Sequence, residues 1–144
     1  MIMYFNENIN FNNSIFFTFH LSANNFEPLD RKLDPEDKGG SFYFISRCSA
    51  VYFASAKLLE ERDPDLSKGF QDFASLLLQF VAVLDVDLRN LSEEEALKRS
   101  TKLIIEMTDL YIEDMNANWV KTGSFFDGTY IGDDIQTCNR ELDL

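Results

Sequence analysis

Histidine and cysteine, the side chains that most often carry proton transfer, thiol chemistry and transition-metal ligation, are nearly missing. The chain has one His, His20, and two Cys, Cys48 and Cys138. No Cys-x-x-Cys or His-Glu-x-x-His spacing occurs, which excludes the common zinc sites. Neither Gly-x-Gly-x-x-Gly nor Gly-Lys-Ser/Thr is present, and Gly39-Gly40 lacks the lysine of a phosphate cradle, so no cofactor is expected. Basic residues are outnumbered, 13 Lys+Arg against 25 Asp+Glu, for a net charge of −12. A surface that negative repels phosphate backbones and anionic headgroups, so nucleic acid and membrane surfaces are not expected partners. No uninterrupted run of 18 apolar residues exists, and no bilayer-spanning helix is expected. With only 3 Pro and 6 Gly, collagen-like and low-complexity architectures are excluded too.

What is present is apolar surface: 45% of 144 residues, 14 of them Phe. A monomer of 16.7 kDa buries about 69% of the surface its unfolded chain exposes, enough for one self-sufficient core. Residues 1–40 differ from the remainder. Seven of the first 25 residues are Asn, which bond their own backbone in preference to regular structure. The run Ile15 to Leu21 followed by Ser22-Ala23 has the form of a secretory apolar segment and cleavage site, although residues 1–14 contain no Lys or Arg. Ile15, Phe17, Phe19 and Leu21 also alternate as a strand would, so a structural arm is the competing interpretation. Residues 27–40, with Pro28, Pro35 and Gly39-Gly40, have linker composition. The helical domain is expected over 41–144.

From Ser41, apolar residues recur every three or four positions: Phe42, Ile45, Cys48, Tyr52, Ala56 and Leu59, flanked by Phe44, Val51 and Leu58. This predicts a central first helix over about 41–62. Asp63-Pro64 supplies an N-cap and a first-turn proline for a second helix ending near residue 88. Ser92 and Glu95 form a capping box for a third, which ends near Lys121 with Gly123 behind it. Residues 124–134 are expected as a loop, Gly128 and Gly132 breaking it and Asp133 capping a short last helix over 134–142. Short connections force antiparallel neighbours. The expected fold is all-α: an antiparallel three-helix core, a short C-terminal fourth helix packed across it, and an irregular N-terminal arm.

Glu106, Asp109 and Glu113 share one helix face and could in principle hold a hard cation, but Arg99 and Lys102 lie on that face too. The four-residue spacings Glu95–Arg99, Glu94–Lys98 and Lys102–Glu106 describe a solvated, self-paired surface, and no metal is expected. The stretch 127–134 has calcium-loop ingredients but lacks alternating oxygen ligands and a closing Glu. Met107, Tyr111, Met115 and Trp119 form an apolar stripe suited to the core. Their polar tips make Tyr111 and Trp119 candidate recognition residues, together with Asn116 and Tyr130. Cys48 has only Arg47 to favour a thiolate and no helical His as base, so a nucleophilic role is not expected. Cys48 and Cys138 are either two buried thiols or a bridge closing a loop of about 90 residues, whose loop-closure contribution is roughly 4.6 kcal/mol.

Three short segments carry a resemblance: Arg47-Cys48-Ser49-Ala50, then Met115-Asn116-Ala117-Asn118-Trp119 with Thr122-Gly123-Ser124, then Asp134 four residues before Cys138. Over residues 41–142 the chain resembles small exported two-cysteine helical proteins of Gram-negative bacteria. That resemblance implies a periplasmic or secreted helical domain tied by Cys48–Cys138, and implies no activity; free thiols would instead suit the cytoplasm. The function expected is non-enzymatic binding, either of a protein with a basic surface or of a second copy. The alternatives are a bundle whose Phe-rich interior holds a small apolar ligand or lipid, and an enzyme using carboxylates alone.

Overall fold

The protein is described by a computed structural model over residues 26–29 and 32–143, and all secondary structure among these is helical. Four helices follow in order: α1 Lys38–Leu59, α2 Pro64–Arg89, α3 Glu93–Thr122 and α4 Tyr130–Glu141. The all-α expectation holds. α1, α2 and α3 pack on one another as antiparallel neighbours, and α4 packs against α1. The run Ile15 to Leu21 and His20 fall outside the described residues.

Local chemistry sets the helix ends. Asp63 accepts from the Leu66 amide at 3.0 Å, with Pro64 in the first turn. Ser92 and Glu95 complete the capping box, and the Ser92 hydroxyl holds the Glu95 carboxyl below its ordinary pKa. Gly123 closes α3 in the left-handed region at φ 75°, its amide donating to Trp119 at 2.9 Å. Three boundaries correct the sequence expectation. α1 begins at Lys38, because the Asp37 carboxylate caps it through the Gly40 amide at 2.8 Å inside the stretch taken as linker. It stops at Leu59, because Asp63 must leave helical geometry to precede proline and cap α2. α4 begins at Tyr130, with Thr129 as cap in place of Asp133. Gly132 lies within α4 and breaks nothing. A Cβ there would sit 2.9 Å from the Phe126 carbonyl oxygen, so glycine is required for close approach.

The core joins Phe44, Val51 and Tyr52 of α1 to Leu77 and Val81 of α2, to Ile104, Met107 and Met115 of α3, and to Ile131 of α4. α1 is buried on most sides. Its small residues let α2 come close, and Ser49 donates to the Ala74 carbonyl at 2.8 Å while Ser67 of α2 donates back to Ala56 at 2.7 Å. Within the stretch of linker composition, Leu29 is buried in the core, and the Leu33 amide donates to Glu141 at 3.1 Å.

By length and composition alone, α2 is long and apolar enough to cross a membrane, although no uninterrupted run of 18 apolar residues occurs in it. Its apolar residues are interleaved with Ser and Gln, so no unbroken run marks them. They form two stripes. Ala74, Leu77 and Val81 face the core, whereas Leu76, Phe80 and Val83 are exposed.

Cys48 and Cys138 are joined, their Cα atoms 5.7 Å apart and separated by 90 residues. The bridge links the middle of α1 to α4, and a helix of 12 residues is too short to persist alone. Reduction removes a loop-closure contribution of about 4.6 kcal/mol, so the melting temperature is expected to fall by about 10–20 °C. Hydrogen exchange should show α4 loosening before α1–α3. An unchanged melting curve in reductant would contradict this.

Candidate functional site

The residue next to the bridge, Arg47, belongs to the most polar place in the interior. It is 1% exposed, and so is no solvent-facing cation. Its Nε donates to the Tyr111 hydroxyl at 2.6 Å, Nη1 to Tyr43 at 2.8 Å, and Nη2 to the Glu27 carbonyl at 3.1 Å and to the Asp134 carboxylate. Asp134, fully buried, lies one turn before Cys138; its Oδ2 also accepts from Tyr111, and its Oδ1 accepts from the Leu29 amide at 2.7 Å. The Phe26 ring stacks on Tyr111 at 5.1 Å and beneath the guanidinium at 4.1 Å. Tyr130 donates to Asp114 beside this cluster, its ring 6.0 Å from that of Tyr111.

Burial opposes the charge on Arg47, but the Tyr111 and Asp134 groups facing it prevail and raise its pKa. Burial pushes the Tyr111 phenol well above its ordinary range, and burial with the Asp114 hydrogen bond does the same to Tyr130. No buried side-chain polar atom of Arg47, Tyr111 or Asp134 lacks a partner. What this arrangement does is fasten: segment 26–29, α1, α3 and α4 meet at one saturated ion pair.

A second buried carboxylate, Asp85 of α2, lies 3.1 Å from the Arg89 Nε and 3.0 Å from the Arg99 Nε. Neither contact has hydrogen-bonding angles, so the oxygens count as charge-paired yet without a directed partner. The attraction persists without such angles, because the Coulomb force between the charges does not depend on angle. Arg99 is therefore engaged with α2 and not with Glu95, whose carboxylate serves the capping box. Of the three same-helix pairs expected on α3, only Lys102–Glu106 is formed among the described residues, at 3.9 Å.

The four candidate recognition residues do not converge. Tyr111 is fully buried in the Arg47 cluster, and Tyr130 is half-buried beside it. Trp119 is 42% exposed, stacked on Phe125 at 4.6 Å with the Arg62 guanidinium 5.1 Å away. Asn116 is exposed, whereas Asn118 is buried and its Nδ2 ties down the following loop, donating to the Ser124 carbonyl at 2.8 Å and to Asp127 at 3.2 Å. Sequence reasoning missed Arg47 and Asp134 as a pair. The available signal was an arginine in a helix apolar on nearly every side, with an aspartate one turn before the only other cysteine.

Comparison with family models, with curated proteins and with solved structures gives no match. The properties of the site therefore follow from its own geometry.

The buried phenols give a pH test. A raised folded pKa means that the neutral phenol is favoured by folding, so its contribution is complete below the ordinary value of 10.0 and declines as pH rises past it. Burial pushes Tyr52 up to about 12, and Tyr111 and Tyr130 are raised as well. In absorbance titration at 295 nm, three of the five tyrosines should stay un-ionised at about pH 11 in the folded protein and ionise near pH 10 in guanidinium. Ionisation of all five near pH 10 without unfolding would contradict the buried cluster.

Proposed function

We propose that this chain is an exported, non-enzymatic binding protein whose recognition surface is the outward stripe of α2. The observation that carries this reading is the exposure of Leu76, Phe80 and Val83, at 46%, 56% and 64%, spaced so that they lie one above another on a single helix face. Large apolar side chains aligned in this way on a packed helix are the anchors of helix-in-groove and helix-on-helix recognition. Residues 73–84 contain no charged residue, so the stripe can be dehydrated without stranding an ion. The net charge of −12 carried by the whole chain favours a protein partner whose own apolar strip is flanked by Lys and Arg. The bridge between Cys48 and Cys138 is compatible with an oxidising compartment, which supports export, as does the resemblance to small two-cysteine exported proteins.

Capture from a native-host extract, with the oxidised protein and its Phe80→Asp/Val83→Asp variant run in parallel, tests this. Both positions are exposed, so the variant should keep its melting temperature. The expected result is a basic partner retained by the parent protein at low salt and lost by the variant. Identical captured sets would contradict the assignment of the stripe, and a homodimer dissolved by the same two substitutions would put a second copy there instead.

A further inference from the structure

A different surface of the bundle is hollow. The first half of α2 leans on α1, where the Phe70 and Phe73 rings pack on Tyr52 at 5.7 and 5.4 Å. A groove of about 570 Å³ opens there between α2 and α3, over the second half of α1. Its walls are Phe53 and Ala56 from α1, Leu78 from α2, and Ile104, Ile105 and Ile112 from α3. That volume lies within the range of small-molecule sites, and its apolar walls, branched aliphatic with a single aromatic ring, suit a flexible hydrocarbon better than a flat ring system, while Ser67, Gln71, Thr101 and Thr108 add hydroxyl and amide groups.

The mouth has a sign. Asp109 borders the groove and has no ion pair among the described residues. Of the carboxylate row noted in the sequence, Asp109 alone lines the groove, with Glu106 and Glu113 three and four positions away on α3. The lysine at the opposite rim, Lys57, is already held by Glu60 at 2.8 Å. Lys102, which does not line the groove, stands 3.9 Å from Glu106. Among the charged side chains lining the groove, Lys57 and Glu60 cancel and Asp109 is left, so the opening carries a net negative charge.

We propose that this groove binds a cationic amphiphile, its aliphatic tail against Ile104, Ile105 and Leu78 and its positive head at Asp109. The site is separate from the outward stripe of α2 and does not depend on it.

Calorimetric titration of the full oxidised chain with decyltrimethylammonium, decanol and decanoate, each below its micelle-forming concentration, is the test. Saturable one-to-one binding is expected, strongest for the cation and weakest for decanoate. Asp109→Asn should weaken the cation by about two- to five-fold while leaving decanol unchanged. Ile105→Asn, at another exposed position, should weaken all three probes by about three-fold or more. Melting curves of both variants establish that they remain folded. Decanoate binding as tightly as the cation, the absence of saturable binding, or affinities insensitive to both substitutions would each overturn the proposal.

Discussion

The ion pair between Arg47 and Asp134 is the constraint around which the rest is arranged. Taking two charges out of water is costly, and the cost is met only where every remaining donor and acceptor finds a partner. Here the partners come from three separate parts of the chain: Tyr43 on α1 and the Glu27 carbonyl ahead of it serve Arg47, the Leu29 amide serves Asp134 on α4, and Tyr111 on α3 serves both. Remove one charge and the other is stranded at the centre of the molecule. The pair thus selects one arrangement of α4 on α1, beyond what apolar packing selects. Cys48 follows Arg47 directly, and Cys138 lies one turn after Asp134, so the covalent tie and the electrostatic tie fasten the same junction.

Helix existence was legible because its signals are local. Asp63-Pro64, the Ser92–Glu95 box and Gly123 each act within a few residues, and each appears where its chemistry places it. The misplaced boundaries show where local signals mislead. Gly39-Gly40 suggests a linker by composition, yet the Asp37 carboxylate beside it caps α1. Gly132 has the look of a helix breaker, yet it permits the Phe126 carbonyl to approach α4. In both cases a contact with a residue several positions away decides, and the glycine itself cannot show it.

The site was less legible for a reason of distance. Arg47 and Asp134 are 87 residues apart, and nothing in periodicity joins a lone arginine to a lone aspartate across that span. Apolar patterning had a different failing on α2: it marks Leu77, Val81, Leu76 and Phe80 alike, and only packing separates the core pair from the exposed pair. Tyr111 and Trp119 are equally plausible on paper, eight positions apart on one helix. The first fills the Arg47 cluster and the second reaches the surface. Within the carboxylate row on α3, written in sequence as a solvated face, only packing sets Asp109 apart, at the border of the groove.

A double-mutant cycle on Arg47→Met and Asp134→Leu, with the bridge intact and unfolding followed in urea, tests the central claim most directly. Each single change strands a buried charge and is expected to lose about 3–5 kcal/mol, while the double change, which strands none, should lose far less than their sum, leaving a coupling of at least about 2 kcal/mol. Additive losses would contradict the account.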